Sequence, residues 1–521
     1  MIPYEYVALL IKKEDEIQYF DTNNADYVLE VDGSTINSQS GTASYSYTDM
    51  NITINKNYTL EATVGGVTKS KNFSVIVDPG SDFSVMPQTY LDGINYDDGD
   101  PTTATLVLYA TGKDFVYVAG SFNNWQPDTS YAMKSDPSRN NKFWITLTGL
   151  TPGQIETFQY WVVDKNPIAN TPALVKTADP YSTLVLSPFD DPDIPASTYP
   201  SLPAYPIGQE REVTVLQTGQ TPYNWQVTDF QKPKKEDLII YEVLVRDFDT
   251  DRNFQNLIDR IDYFKNLNIN AIQLMPVMEF EGNESWGYNP SFLFAPDKYY
   301  GPKNELKRLI DECHKRGIAV VIDMVLNHSY GESPFVQMYM DNWVVSDENP
   351  WYNAESPNPV YYWGYDFNHE SDATKELVDS VNSFWMNEYK VDGFRFDFTK
   401  GFTNTTGDGS AYDQPRINIL KRMSTEIWKT NPDALVILEH LTGNTEETIL
   451  ANHGMLLWGN MNHEYSEGAM GYGSNLSGIL HSNRGWNNKY LVGYQESHDE
   501  ERVLYKLLNF GNSQGTYDTQ V

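Results

Sequence analysis

The chain has 521 residues, roughly three domains by length, although an α/β barrel takes up about 250 residues as one domain. It carries 37 Lys and Arg against 71 Asp and Glu, a formal net charge of −34, and this charge argues against binding to nucleic acid or to an anionic membrane surface. The one cysteine, Cys313, cannot form an intrachain disulfide, and it lies on the apolar stripe of a predicted helix.

The sequence has no run of the roughly 18 apolar residues that a membrane span needs, so we predict no transmembrane span. Residues 1–5 contain no basic residue, and the apolar stretch at 7–11 is too short for a secretory signal. The protein is therefore expected to be extracellular or at the cell surface if a leader was removed, and otherwise cytoplasmic.

The first 235 residues show the pattern of short β-strands. Alternating runs such as 27–31 and 73–77 are separated by turns rich in Gly, Asn, Asp and Ser. We predict an immunoglobulin-like β-sandwich at 1–80, a linker at 81–101, a second β-sandwich module at 102–187 and a connector at 188–236.

From residue 237 on, strands and helices alternate. A strand near 238–245 precedes apolar residues at helical spacing over 254–267. Further strands are predicted at 271–275, 318–326, 391–398, 434–440, 454–459 and 490–496. This alternation predicts parallel βα units and a TIM-type (β/α)8 barrel over 237–521 that is truncated after its seventh strand, with a short protruding loop at 329–371. We expect from this that the chain is a shortened or cleaved protein or an incompletely represented gene.

Polar residues follow four of these strands at their carboxyl ends, where the working residues of parallel barrels lie. They are Asn327 and His328 after the third strand, Arg395 and Asp397 on the fourth, Glu439 on the fifth, and His498 and Asp499 after the seventh. Burial of an unpaired charge is costly, so four such strands in order indicate a site. A pair of carboxyl groups at one site is typical of glycoside hydrolases, in which one carboxylic acid protonates the leaving oxygen and another carboxylate attacks or stabilises the oxocarbenium-like carbon.

These four segments resemble the conserved regions of the α-amylase family of glycoside hydrolases, which are retaining enzymes on a (β/α)8 barrel. The resemblance covers roughly 237–521, and Gly-Phe-Arg-Phe-Asp at 393–397 is its most specific part. It implies that Asp397 is the nucleophile, that Glu439 is the general acid and base, and that Asp499 is a third carboxylate that grips sugar hydroxyls.

The resemblance also implies residues that bind the sugar. They are Arg395, the hydrogen-bond donors His328 and His498, the stacking residue Tyr288 beside Trp286, and Lys400 on the leaving side. Arg395 points to the same face of its strand as Asp397 and would lower the pKa of that carboxyl. The family often has His after this lysine, where the present chain has Gly401. We expect Asp323 to orient Arg395 rather than to contact sugar.

Calcium is a further expectation from the resemblance. Asn327 and Asp366 match residues that help to hold a calcium ion between the barrel and its protruding loop, and their oxygen atoms suit that ion. Several more ligands are needed, and alternatively Asn327 only holds the loop by a hydrogen bond. No organic cofactor is expected, because the sequence contains neither a Gly-x-Gly-x-x-Gly turn nor a P-loop.

The second β-sandwich has a signature of its own. Residues 116–125 and 158–164 resemble the starch-binding-type modules that precede barrels in branching and debranching enzymes. Trp125 and Trp161 either form a glucan platform or pack the sandwich, and we favour packing.

Together these patterns predict a retaining glycoside hydrolase that cleaves α-1,4-glucosidic linkages of starch-like or glycogen-like α-glucans through a covalent glycosyl-enzyme. A branching or debranching (pullulanase-type) enzyme of the same family is the first alternative. A non-catalytic glucan-binding protein on an amylase-like barrel is the second. The expected partner is an α-glucan polysaccharide or oligosaccharide.

Overall fold

The computed structural model describes residues 6–7, 24–50, 52–168 and 171–514. The chain forms two compact units, the first made of Met1–Leu186, Pro206–Gln220 and Met340–Asn342, the second of Ser187–Tyr205, Thr221–Tyr339 and Trp343–Val521. Residues 8–11, which carry most of the apolar stretch considered as a signal, lie outside the described residues.

The first unit begins with a five-stranded antiparallel sheet. Its strands, in the spatial order β1-β5-β4-β2-β3, are β1 (Tyr6–Val7), β2 (Ala25–Val31), β3 (Ser34–Thr42), β4 (Lys56–Val64) and β5 (Val67–Val77). Asp32 and Gly33 both have positive φ in the two-residue turn between β2 and β3. Such turns match the right-handed twist of the strands they join, which explains the Asp-Gly pair at this hairpin.

Two further sheets follow in the same unit. Their strands are β6 (Gly93–Tyr96), β7 (Ala104–Leu108), β8 (Phe115–Gly120), β9 (Lys134–Asp136), β10 (Lys142–Leu147), β11 (Glu156–Val163), β12 (Leu174–Thr177), β13 (Val185–Leu186) and β14 (Val213–Leu216). One sheet has the order β6-β7-β10-β9, and in the other β11 pairs with β8, β12 and β14. Strand β14 lies in the predicted connector and pairs with β11. The sequence did not predict this strand, because four residues are too few to show a periodic pattern.

The two tryptophans of the second sandwich pack on one core cluster, Trp161 inside it and Trp125 against it. Trp161 is 2% exposed and belongs to a core cluster that includes Ile76 of β5, and the partly buried Trp125 packs against the same cluster. The ammonium group of Lys176 lies 4.3 Å from the centre of the Trp161 ring. The packing interpretation of these tryptophans is therefore confirmed.

A buried carboxyl gives this unit an expected pH dependence. Asp179 is fully buried and accepts hydrogen bonds from the Tyr160 hydroxyl (2.9 Å) and the Tyr181 amide (2.8 Å), and burial raises its pKa to about 7. Because the folded protein binds this proton more tightly than the unfolded chain does, the stability it contributes is full below about pH 4 and is lost as the pH rises through about 7.

We expect Asp179→Asn, which keeps the shape and removes the charge, to raise the thermal midpoint relative to wild type by several degrees more at pH 9 than at pH 5. Differential scanning calorimetry at the two pH values measures this, with Asp82→Asn at an exposed position of the same unit as the control. An equal difference at both pH values would contradict it.

The chain from residue 237 on contains the remaining elements. The strands are β15 (Ile240–Val243), β16 (Ala271–Leu274), β17 (Met278–Phe280), β18 (Pro290–Pro296), β19 (Ala319–Met324), β20 (His328–Ser329), β21 (Met340–Asp341), β22 (Val344–Val345), β23 (Tyr365–Asp366), β24 (Gly393–Phe396), β25 (Leu435–Leu438), β26 (Leu456–Asn460) and β27 (Leu491–Tyr494). The helices are α1 (Val245–Phe248), α2 (Phe254–Asp259), α3 (Ile261–Asn266), α4 (Lys303–Lys315), α5 (Pro334–Gln337), α6 (Asp372–Glu388), α7 (Gln414–Thr430), α8 (Asn444–His453), α9 (Asn462–Ala469) and α10 (Val503–Phe510).

Seven parallel strands form the sheet of the second unit, in the sequential order β15-β16-β19-β24-β25-β26-β27. All neighbouring pairs are parallel, and most of the strands are buried along their whole length, as a parallel sheet covered on both faces requires. The helix expected over 254–267 is two helices, α2 and α3, because the backbone at Arg260 leaves helical values (φ −101°, ψ 7°).

The first and seventh of these strands are the edges of the sheet. Among the described residues neither β15 nor β27 has a further strand beside it, and a cleft of about 1100 Å³ is lined by both of them. In the part of the chain that the structure describes, each helix is too short or too polar to cross a membrane.

Candidate active site

A buried arginine joins the ends of three adjacent parallel strands. The Nη1 atom of Arg395 on β24 lies 2.9 and 3.0 Å from the two carboxylate oxygens of Asp323 on β19 and 3.0 Å from Oδ1 of Asp397. Its Nη2 atom lies 2.9 Å from Oε2 of Glu439, which follows β25. One guanidinium, itself fully buried, thus holds three carboxylates in one place.

Strand register explains this convergence. Asp323 and Arg395 are partners across the β19–β24 pair, so their side chains lie at the same level of the sheet. Asp397 and Glu439, the first residues after β24 and β25, continue the hydrogen bonding of the sheet beyond the strand ends. The amide of Asp397 donates to the Met324 carbonyl (3.1 Å), and the amide of Glu439 donates to the Phe396 carbonyl (3.0 Å).

Glu439 is fixed from a second side. Its Oε2 atom accepts a hydrogen bond of 2.9 Å from the amide of Phe398, the residue after Asp397. Phe398 has a left-handed backbone (φ 43°, ψ 47°), which costs an aromatic residue of the order of 1–3 kcal/mol and persists only where the surroundings hold it. The side chains of Asp397 and Glu439 stay 13% and 14% exposed, so a ligand can reach both.

The expected effect of Arg395 on the pKa of Asp397 needs a correction. Burial raises the pKa of Asp397 well above its ordinary value, the negative charge of Glu439 raises it further, and the lowering by Arg395 does not compensate for both. The sequence shows the arginine two residues away, but neither the depth of burial nor the second carboxylate.

Asp323 orients Arg395, as predicted. Both its oxygens accept from the guanidinium, and Oδ2 also accepts from the Tyr288 hydroxyl at 2.8 Å. Burial raises the pKa of Tyr288, which therefore keeps its proton and remains a donor. Its ring stacks on the imidazole of His498 with centroids 5.1 Å apart, so the stacking of Tyr288 on a sugar stays a prediction.

His498 is held by the first strand. Its amide and its Nδ1 atom lie 2.9 and 3.1 Å from the two carboxylate oxygens of Glu242 on β15, and Trp286, 43% exposed, meets its ring edge-on at 5.7 Å. The pKa of this histidine is raised overall. Burial by itself would lower the pKa, but the hydrogen bond to Glu242 and the negative charge of Glu242 outweigh burial.

Asp499 is much more exposed than the other two acids. Its side chain is 56% exposed, and within the described residues its side-chain ionic partner is His498, with Oδ1 3.5 Å from Nε2. The structure thus brings Asp397 and Glu439 together on Arg395, while Asp499 pairs with His498. The role of Asp499 as a third carboxylate stays a prediction.

Both ring nitrogens of His328 are engaged within the protein. Its Nε2–H donates to the Tyr288 carbonyl at 2.8 Å, and its Nδ1 lies 3.2 Å from the Asn327 amide nitrogen. Burial lowers the pKa of His328 to about 4, which keeps the ring neutral. The contacts that the structure gives His328 hold the backbone of Tyr288, and its hydrogen bond to sugar stays a prediction.

The residues expected at a calcium site do not make a complete one. The Asn327 side-chain oxygen is buried without a hydrogen-bond donor and faces Gly401, while the Asp366 carboxylate accepts from the Asn353 amide (2.7 Å) and the Ser356 hydroxyl (3.4 Å). Burial raises the pKa of Asp366 to about 7. Among the described residues no group of three or more His, Cys, Asp or Glu is arranged to hold a metal.

Two residues of the site escape sequence reasoning. Glu242, which binds His498, lies 256 positions before it, and Trp458 on β26 places its ring 4.2 Å from the Arg395 guanidinium carbon. The signal available for Glu242 is a charged residue inside an otherwise apolar strand. Trp458 gives no such signal, because an apolar residue is expected in a buried strand.

Comparison with known proteins supports the resemblance. Residues 245–361 match the family model described as "Alpha amylase, catalytic domain". A malto-oligosyltrehalose trehalohydrolase from Saccharolobus solfataricus is 31% identical over 237 residues, 45% of this chain and 38% of that protein. A 1,4-alpha-glucan branching enzyme from Pseudoalteromonas atlantica is 26% identical over 374 residues, 66% of this chain and 46% of that protein. The chain thus spans less than half the length of either curated relative.

A solved pullulanase variant from Paenibacillus barengoltzii, in complex with maltotetraose, shares the fold. The two structures superpose with a TM-score of 0.60 at 17% sequence identity, and the match covers 83% of this chain and 70% of the pullulanase chain. With acidic residues gathered at the ends of neighbouring parallel strands and a match to the catalytic-domain model over residues 245–361, the second unit resembles the α-amylase family of glycoside hydrolases in sequence and in fold.

Proposed function

We propose that this protein is a retaining glycoside hydrolase that cleaves α-1,4-glucosidic linkages of starch-like or glycogen-like glucans. The observation that supports it best is the Arg395 guanidinium, which holds the carboxylates of Asp397 and Glu439 side by side at the ends of β24 and β25. Retaining glycosidases need two close carboxylates, one as nucleophile and one as acid and base.

In the proposed first step, Asp397 attacks the anomeric carbon while Glu439 gives its proton to the glycosidic oxygen. The carbon–oxygen bond breaks, the leaving chain departs as an alcohol, and a glycosyl ester forms on Asp397. In the second step Glu439 takes a proton from water, whose oxygen attacks the same carbon and releases Asp397. The product keeps the configuration of the substrate, because the carbon is attacked twice from opposite faces.

Arg395 acts on the nucleophile in this scheme. Asp397 must be ionised to attack, and burial together with Glu439 favours its protonated form. The fixed guanidinium at 3.0 Å opposes that tendency and keeps the attacking oxygen in place. Asp323 and Tyr288 in turn fix the guanidinium, so that its position does not depend on substrate.

A branching or debranching activity is the second candidate. The relatives named above include a branching enzyme, and the fold is shared with a pullulanase. These enzymes and hydrolases share the first chemical step and differ in the bond cleaved or in the acceptor of the glycosyl group. The carboxylate geometry therefore suits either candidate.

Two polymers, amylose and pullulan, separate the candidates. We expect amylose to give new short oligosaccharides with a rise in reducing ends, measured by reducing-sugar assay and chromatography. Maltotriose from pullulan with intact amylose would instead support debranching, and new α-1,6 signals in the proton spectrum without new reducing ends would support branching. The Glu439→Gln chain, prepared in parallel, controls for contaminating amylases. If the folded protein changes neither amylose nor pullulan, the proposed function is wrong.

Calcium binding remains a separate proposal, based on the resemblance at Asn327 and Asp366. The same amylose assay with and without chelator addresses it. Loss of activity with chelator that calcium restores would support the proposal.

A further inference from the structure

A buried ion pair that the proposed mechanism does not use lies next to the end of β25. Nε and Nη2 of Arg416 on α7 donate to the two carboxylate oxygens of Glu446 on α8, at 2.7 and 2.8 Å, and both side chains are 1% exposed. Burial by itself would raise the pKa of Glu446, but the hydrogen bonds from His440 and Arg416 outweigh burial and lower it to about 2. Because the cost of desolvating two charges offsets much of their attraction, such a pair is weak evidence for stability, and its other contacts indicate what it holds.

Arg416 holds the loop between β24 and α7. Its Nη1 atom donates to the carbonyls of Lys400 (2.7 Å) and Gly409 (2.9 Å), and its Nη2 atom also donates to the carbonyl of Ala411 (3.0 Å). A guanidinium has five N–H donors. Two of them bind Glu446 and three bind this loop, so the loop is tied to a buried charge at three points.

Glu446 extends the contacts to the end of β25. Its Oε1 atom lies 3.0 Å from Nε2 of His440, the residue after Glu439, and Nδ1 of His440 lies 3.0 Å from the hydroxyl oxygen of Thr399. The hydroxyl and the amide of Thr399 both donate to the Glu439 carbonyl, at 2.8 and 2.9 Å. His440 and Thr399 are buried as well. A continuous buried chain of contacts, here named the support chain, therefore runs from Arg416 through Glu446, His440 and Thr399 to the backbone of Glu439.

The contacts on the carboxyl group of Glu439 act on one of its oxygens. The Nη2 atom of Arg395 and the amide of Phe398 both lie 2.9 Å from Oε2. A carboxyl held at one oxygen can still pivot about it, so the position of the backbone decides where Oε1 points. A displacement of about 1 Å at a reacting group can lower a rate about a hundredfold. The geometry of proton transfer therefore depends on the backbone of Glu439 as well as on its carboxyl contacts.

We propose that the support chain positions Glu439 for proton transfer, by fixing the backbone from which Oε1 reaches the glycosidic oxygen. The inference deepens the proposed function and rests on it for the role of Glu439 as proton donor. The four residues of the support chain are positioning residues, since they are buried and act on the substrate through Glu439. Their loss should therefore slow a reaction that needs the proton more than a reaction that does not.

Two substrates with different leaving groups test this. In a dinitrophenyl maltoside the leaving group departs without being protonated, whereas amylose (or pullulan, if the wild-type chain debranches) needs the proton from Glu439. We expect Thr399→Val, which keeps the shape of the side chain and removes its hydroxyl, to lower kcat/KM about tenfold on the polymer and less than about twofold on the maltoside. Thr399→Ser, which keeps the hydroxyl, should restore most of the activity on the polymer. Thr374→Val is the matched control, because Thr374 is also 0% exposed and its hydroxyl donates to the Trp351 carbonyl at 2.8 Å.

Glu446→Gln tests the far end of the support chain. This variant keeps the size of the side chain and removes the charge that Arg416 and His440 share, so we expect kcat/KM to fall by a larger factor on the polymer than on the maltoside. Equal factors on the two substrates, in Glu446→Gln or in Thr399→Val, would overturn the positioning role, because a general loss of folded protein lowers both activities alike.

The same measurements separate a failure of the inference from a failure of the proposed function. If the wild-type chain cleaves neither polymer, the proposed function is wrong and the inference falls with it. If the wild-type chain is active and the ratio of the two kcat/KM values is the same in Thr399→Val as in Thr374→Val, the proposed function stands and the inference alone is wrong.

Discussion

Replacing Asp397 by asparagine, or Glu439 by glutamine, is expected to lower kcat on amylose by a factor of about 10³ or more while maltohexaose still binds. Both changes keep the size of the side chain and remove the charge or the proton that the reaction uses. Asparagine can still accept a hydrogen bond from Arg395, so the folded structure should persist. Steady-state kinetics and calorimetric binding measure the two effects, with Asp433→Asn at an exposed position as the control.

The two variants are distinguished by the leaving group. In a dinitrophenyl maltoside the leaving group, dinitrophenolate, departs without being protonated. We therefore expect the Glu439→Gln variant to cleave this substrate at a rate much closer to wild type, and the Asp397→Asn variant to show no such recovery. Recovery by Asp397→Asn instead would reverse the assigned roles. Turnover near the wild-type value in either variant would remove the residue from the mechanism.

The second large effect concerns Arg395. Replacing it by methionine leaves the carboxylates of Asp323, Asp397 and Glu439 without their shared cation, and removal of one partner from a buried ionic group costs about 3–5 kcal/mol. We expect loss of activity together with a loss of unfolding free energy of that order, measured by urea denaturation. Arg422→Met is the control, because Arg422 is partly exposed and pairs with Asp379 alone among the carboxylates that the structure describes, which predicts a loss of about 1 kcal/mol or less.

The loss should depend on pH in a defined direction. Burial already raises the pKa of Asp323 and of Asp397, and removal of the arginine takes away an interaction that lowers the pKa of both. His498 and the Tyr288 hydroxyl still lower the pKa of Asp323. A raised folded-state pKa gives stability that is full below the unfolded value and is lost as the pH rises through the folded value. The difference between Arg395→Met and wild type should therefore be smaller at pH 5 than at pH 8. A difference that grows on acidification would contradict this account.

The pattern of the chain predicts much of the second unit. Apolar runs bounded by turns predict all seven parallel strands, and a basic last turn followed by Gly317 predicts the end of α4, where Gly317 has a φ of +75°. These features are local, since a strand or a helix end depends on residues a few positions apart. The break between α2 and α3 at Arg260 and the four-residue strand β14 leave no periodic pattern, and the sequence did not predict either of them.

The candidate site divides in the same way. The positions of Asp397 and Glu439 follow from sequence, because polar residues at the ends of neighbouring parallel strands meet at one edge of a sheet. The amide of Phe398 that holds Glu439 depends on a strained backbone, and the support chain from Arg416 to Glu439 depends on the packing of α7 beside α8. Neither is visible in the order of residues.

By itself, the sequence determined which parallel strands form and which of them end in acidic residues, because strand periodicity and residue type are both local properties of the chain. Only the tertiary structure decided how those groups act on one another. Glu242 meets His498 across 256 positions, Trp458 covers Arg395 from another strand, and the pKa of Asp397 rises although an arginine touches it. Burial and the distance between charges set these interactions, and both exist only once the strands have assembled.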